Sequence, residues 1–164
     1  MCSIDNFSNR EFKDTLWMKI IDEMDKHSDF IEKVALFRDG EPLLDNKIEQ
    51  RVKDLRRIGI KTVSFSTNGK LLTQERGKSL IEAGLNEIML STDGITKSTF
   101  EKVRKGLKFE QVTKNFVDFI ALRDRIKADL RICVRMALQT DNEEELKDWL
   151  KFWKSVTKET DSVY

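Results

Sequence analysis

"KTVSFSTNGKLLTQERGKSLIEAGLNEIMLSTDG", residues 61–94, decides the architecture. It opens on a β-branched and aromatic run, "KTVSFST" (61–67), and closes on a second, "NEIMLST" (86–92). Between them Thr73 stands where a helix N-cap belongs, Leu80 and Ile81 lie in the helix, and Gly84 ends it. A strand, a helix and a strand within about 30 residues make a βαβ unit, which joins parallel strands.

The same grammar extends in both directions. Upstream lies "KVALFR" (33–38), followed by Ile48, Val52, Leu55 and Ile58 at helical spacing and a capping Gly59. Downstream, Val112, Phe116, Phe119 and Ile120 mark a long helix before "LRICVRMAL" (130–138), and Leu146, Trp149, Leu150 and Trp153 mark another. Phe12, Leu16, Ile20 and Met24 form a leading helix. The strands are near-continuous in apolar residues, which predicts burial on both faces of a parallel sheet. The expected order is α-β-α-β-α-β-α-β-α, an α/β protein with right-handed crossovers. "DSVY" (161–164) begins like a further strand, and a helix precedes the first strand, so the chain reads as an excised piece, or a much shortened relative, of a larger barrel.

Bulk properties narrow the function classes. Lys+Arg (30) and Asp+Glu (29) nearly cancel over 164 residues, leaving no global field toward nucleic acid or an acidic membrane. No apolar run approaches the roughly 20 residues of a membrane span, and no signal peptide is recognisable. Cys2 and Cys133 make no disulfide framework, which points to a reducing cytoplasm. A single proline argues against long rigid linkers.

In parallel α/β sheets ligands gather outside the strand carboxyl ends. Those ends are "RDGEP" (38–42), "STNG" (66–69), "STDG" (91–94) and "QTDN" (139–142). Glu41, Thr67, Asn68, Ser91, Asp93, Gln139 and Asn142 would share one rim, with glycines letting backbone approach a ligand in three of the four. Such a set can hydrogen-bond hydroxyls, an ammonium and an adenine edge. With no histidine and no nucleophile–base pair it suits a cofactor cradle better than hydrolysis. Each Asn-Gly or Asp-Gly alone is also ordinary turn chemistry. Arg104 is either a carboxylate ligand or a solvated helix residue, Cys133 a small core residue, and His27 a surface partner of a helix end. Trp149 and Trp153 belong to the core.

"DGEPLL" (39–44), "IGIKTVSFSTNGKLLT" (58–73), "LIEAGLNEIMLSTDG" (80–94) and "TFEKVRKGLKFEQVTKN" (99–115) occur in the order and spacing of one family. In these the chain resembles the radical S-adenosylmethionine (radical SAM) enzymes. The resemblance implies a partial (βα)6 barrel, incomplete and TIM-barrel-like, that holds a [4Fe-4S] cluster and S-adenosylmethionine. Reductive cleavage would yield a 5′-deoxyadenosyl radical that abstracts hydrogen from a substrate. It further implies that Gly40, Glu41 and Pro42 form the segment that hydrogen-bonds the cofactor's ammonium. Ser91 and Asp93 would hold the ribose hydroxyls, Arg104 the methionine carboxylate, and Thr67 and Asn68 the floor, while Leu138 to Asn142 would border adenine. Asp39 stands where many members have the first glycine of Gly-Gly-Glu-Pro.

The family's cluster motif is C-x3-C-x2-C, and Cys2 fits its last cysteine. One thiolate cannot hold the cluster. Residues 1–164 are therefore expected to be a radical SAM core lacking its first strand and most of the cluster loop, ending at the start of the sixth strand, and inactive by itself. The implied partners are a small-molecule or peptide substrate and an electron donor, with no nucleic acid and no membrane; a C-terminal domain with further clusters is a feature of similar members. Uncovered strand edges and an open inner face lead us to expect self-association. The alternatives are a cluster-free relative serving as a binding or scaffold module, and an unrelated α/β binding domain.

Overall fold

The computed structural model describes residues 13–38 and 40–164. Strands β1 (Lys33–Ala35), β2 (Thr62–Thr67), β3 (Glu87–Ser91), β4 (Arg131–Arg135) and β5 (Ser162–Val163) lie side by side in chain order, each parallel to the next. The strand order never reverses, so the sheet is an arc of a barrel and not a doubly wound sheet with a switch point. It does not close. Around it run α1 (Asp14–Asp25), α2 (Ile48–Arg57), α3 (Gln74–Glu82), α4 (Lys97–Val103), α5 (Phe109–Arg125) and α6 (Leu146–Val156). As its position predicts, Thr73 caps α3, accepting from Arg76 N at 3.2 Å.

Register sorts the strand residues into two faces. Val34 pairs with Val63, Phe65 with Ile88 and then Ile132, and Thr67 with Leu90, Val134 and Val163. The apolar members of these rows merge with Val52, Leu55, Leu80, Phe100, Phe116, Phe119, Trp149 and Trp153 into one core beneath the helices. The opposite face carries Ala35, Ser64, Glu87 and Arg131 in one row, and Ser66, Met89, Cys133 and Ser162 in the next. Burial alternates along β3, whereas β4 is buried through Ile132, Cys133 and Val134 and exposed at its ends, Arg131 and Arg135. The expectation of strands buried on both faces holds at Ser64 and Cys133 and is corrected elsewhere: all the helices of the described residues cover one side, and the other is what a barrel would enclose. Cys133 is buried but lies on that second face, outside the main core.

Two helices differ from their sequence pattern. In α1 the buried residues are Trp17 and Ile21, whereas Leu16 is 48% exposed; Phe12 lies outside the described residues. Trp17 sets the face because its indole N–H donates to Asp54 at 2.8 Å and its ring lies under the Arg51 guanidinium at 5.0 Å. The region before Val112 contains a separate helix, α4, capped by Thr96, whose side chain accepts from Thr99 N. "DSVY" contributes β5, whose two residues pair with β4.

At the amino ends of the strands, side chains replace ladder bonds. Asn86, just before β3, accepts from Val63 N at 2.8 Å and donates to Lys61 O at 2.7 Å. Asp161, just before β5, accepts from Ile132 N at 3.0 Å and takes two bonds from Arg123 of α5, at 2.8 and 2.6 Å. The side chains of Arg123 and Asp161 are 1% and 0% exposed. Burial pushes the Asp161 carboxyl upward, but the hydrogen bonds from Arg123, Lys158 N and Ile132 N outweigh it and hold its pKa below the ordinary value. A depressed carboxyl contributes stability above its unfolded pKa and loses it as pH falls through the folded one. Arg123→Met, which leaves that carboxylate buried without its countercharge, should cost about 3 kcal/mol in urea unfolding at neutral pH. Asp161→Asn should flatten the acid limb of the stability–pH curve.

Candidate functional site

Glu41, between Gly40 and Pro42, ends the loop after β1, and its carboxylate turns back into the fold. Oε1 accepts from Leu43 N at 3.1 Å and from Thr67 Oγ1 at 2.7 Å, and Oε2 accepts from Asn68 N at 2.7 Å. It therefore caps the short 3-10 turn Pro42–Leu44, in which Pro42 is the first residue, and clasps the end of β1 to the end of β2. Thr67, 1% exposed, also accepts from Gly69 N at 3.1 Å, and Asn68 Oδ1 accepts from Lys70 N at 3.0 Å. Asn115 of α5 braces this turn by donating to Gly69 O at 2.8 Å.

Asp93 makes the corresponding clasp after β3. Its Oδ1 accepts from Ala137 N beyond β4 at 2.8 Å, and Oδ2 accepts from Arg104 Nε at 2.5 Å. An Nη2 of Arg104 donates to Ser91 Oγ. The pair is charge-assisted and nearly dry on the acid side: Asp93 is 5% exposed and Arg104 26%. Two of the five guanidinium N–H groups are engaged, and the exposed remainder of the fork is available to an anion. Asn142 is consumed by the loop, donating to Asp93 O at 3.1 Å and Ala137 O at 3.0 Å and accepting from Gln139 N at 2.8 Å. Glu145, which the sequence pattern did not single out, fixes the next step by accepting from Ile95 N at 2.7 Å and Thr96 N at 3.2 Å.

The three rim glycines separate on what a side chain would meet. At Gly69, with φ of +77°, a Cβ would fall 2.2 Å from the Phe116 ring; at Gly94 it would fall 2.7 Å from Phe100 N. Both are required by packing against α5 and α4. Gly40 is exposed, and a Cβ there would meet nothing within 4 Å. Among the three it alone has the open backbone that a ligand could approach.

Strand order β1-β2-β3-β4 thus places Gly40, Glu41, Pro42, Thr67, Asn68, Ser91, Asp93, Gln139 and Asn142 along one carboxyl rim, with Arg104 reaching it from the end of α4. Cys2 lies outside the described residues. Among the described residues no three His, Cys, Asp or Glu side chains are grouped to hold a metal ion. With Cys133 buried on β4 and only two cysteines in the sequence, the donor set does not fit a cluster bound by three thiolates of this chain.

An open arc of parallel strands, one layer of helices and a polar carboxyl rim define a partial TIM-barrel-like fold. The sequence pattern of the Radical SAM superfamily matches residues 2–152, and the chain belongs to that superfamily. A GTP 3′,8-cyclase of Limosilactobacillus fermentum is 31% identical over 116 residues, 70% of this chain and 33% of that protein. The chain thus spans about a third of that curated relative. Among solved structures, native anSMEcpe with bound AdoMet matches 98% of this chain and 57% of its own at a TM-score of 0.63 and 17% identity. Streptococcus suis SuiB bound to the precursor peptide SuiA matches 90% of this chain and 32% of its own, also at 0.63 and 17%. At such identity these structures bear on the fold alone. The unrelated α/β domain is excluded by the family match. No helix among the described residues is long and apolar enough to cross a membrane.

Gly69→Ala, which combines a left-handed backbone with a clash, should cost about 3 kcal/mol in urea unfolding. Gly40→Ala should cost about 1 kcal/mol or less by the same measurement.

Proposed function

We propose that the carboxyl rim is an S-adenosylmethionine (AdoMet) site, and that the chain is the cofactor-binding part of a radical SAM enzyme core. The observation that carries this reading is the Arg104 guanidinium, held against Asp93 and Ser91 with part of its fork exposed. In this reading the free part of Arg104 takes the methionine carboxylate, and Ser91 and Asp93 take the ribose hydroxyls. The open backbone at Gly40 receives the ammonium, while Thr67 and Asn68 form the floor. Glu41 and Asn142 act as positioning residues, because their side chains are bonded within the rim. The Gln139–Asn142 loop, which Asn142 holds against Asp93, borders the adenine. AdoMet supplies such an enzyme with the 5′-deoxyadenosyl group, the source of a hydrogen-abstracting radical. Radical generation belongs to a protein that adds the remaining cluster thiolates to Cys2, together with an electron donor and a small-molecule or peptide substrate.

A cluster-free binding module is the second reading, favoured by the two-cysteine sequence. Calorimetric titration with AdoMet tests the site common to both. The chain should bind AdoMet, and Arg104→Gln, which removes a charged hydrogen bond worth about 1.5 kcal/mol or more, should weaken binding at least about tenfold. An unchanged affinity would contradict the assignment. Anaerobic reconstitution with iron and sulfide should give no stoichiometric [4Fe-4S] absorbance with residues 1–164 alone. A full cluster per monomer that disappears in Cys2→Ala would overturn that expectation.

A further inference from the structure

The charges on the open face of the sheet do not balance. Lys33 is paired with Glu87, and Arg104 with Asp93. On β4, Arg131 and Arg135 are both exposed, and among the described residues neither meets a carboxylate within ion-pair distance. Arg131 is anchored to Ser162 Oγ at 2.9 Å and lies in register with Glu87. Arg135 has only a weak acceptor: its Nη1 lies 3.9 Å from the sulfur of Met89, on the same face.

Position distinguishes Arg135 from an ordinary surface arginine. It sits at the carboxyl end of β4 in register with Ser91, the residue whose hydroxyl already receives Arg104. Adjacent strands lie about 4.8 Å apart, so Ser91 is flanked by two guanidinium-bearing residues, one neutralised by Asp93 and one not. Beyond Arg135, Tyr164 continues the row: Met136 N donates to Tyr164 O at 2.9 Å, and the residue is 57% exposed. The row Ser91–Arg135–Tyr164 therefore carries a hydroxyl, a guanidinium fork bonded only to the Met89 sulfur, and a phenol, next to the proposed cofactor rim. A planar fork whose one protein acceptor among the described residues is a thioether sulfur matches an oxyanion.

We propose that Arg135 is a specificity-determining residue that anchors a substrate bearing a phosphate or carboxylate group, held on the open face beside AdoMet. The role as substrate anchor rests on the AdoMet reading of the rim; the anion site itself does not. The test uses the whole chain and two probes, pyrophosphate for the phosphate class and succinate for the carboxylate class, with AdoMet titrated separately. At least one probe should bind the wild-type chain, and Arg135→Gln should weaken it at least tenfold while changing AdoMet affinity less than twofold. Arg135→Lys should recover part of the lost affinity. The proposal is overturned if neither probe binds, or if Arg135→Gln leaves probe binding intact. It is also overturned if AdoMet affinity falls in parallel, which would make Arg135 a cofactor residue. If the wild-type chain fails to bind AdoMet yet holds a probe through Arg135, the AdoMet reading fails, and with it the substrate role. Because Arg135 is exposed, the glutamine variant is expected to remain folded, which its amide spectrum would verify.

Discussion

Helices cover the parallel sheet on one face, and the rest of the molecule follows from that asymmetry. Rows such as Phe65–Ile88–Ile132 and Leu90–Val134–Val163 lie against the helices and form the single core. Parallel strands must be joined by crossovers, and right-handed crossovers all fall on the same side when strand order follows chain order. The uncovered face is then free to be polar, and it is: serines, Met89, Cys133 and four charged side chains occupy it. The proposed site lies at the carboxyl rim of that face, because the core and helices fill the other side.

A sheet of short strands runs out of ladder bonds at both ends, and here side chains complete it. Glu41 joins β1 to β2, Asp93 joins β3 to β4, Asn86 joins β2 to β3, and Asp161 joins β4 to β5. Two of these clasps lie on the rim and two at the opposite end. The rim pair has a second consequence, since acids bonded to backbone N–H groups and to Arg104 hold the groups of the proposed AdoMet site in place before any ligand arrives. Such preorganisation lowers the ordering cost of binding. It also divides the rim residues by role: Glu41 and Asn142 build it, whereas Gly40 and the free part of Arg104 face outward.

The fold was legible in the sequence because β-branched runs, the Thr73 cap and terminal glycines repeat at βαβ spacing. Strand order and the shared rim follow from those signals with few alternatives. One-sided helix cover was not legible, because Ser64, Ser66, Met89 and Cys133 are small or apolar enough to pass for residues packed against helices. The face of α1 was misjudged by one position, since Trp17 is placed by a hydrogen bond to Asp54, 37 residues away in the chain. At the site, the residue types were legible but their division of labour was not. Gly69 and Gly94 resemble ligand-facing glycines in sequence, and only Phe116 and the Phe100 backbone reveal that they are packing positions. Asn115 and Glu145 carry no local signal, because they act on loops far from them in sequence.

The central claim is that one ligand contacts the ends of β1, β2 and β3 together, and amide chemical-shift mapping of the chain during an AdoMet titration tests it most directly. Perturbations should cluster at Gly40, Asn68, Asp93 and Arg104, with Asn86 and Asp161 at the opposite end of the sheet unmoved. Perturbations centred on Asn86 and Asp161, or a saturating response that leaves Gly40 and Asp93 unchanged, would contradict it.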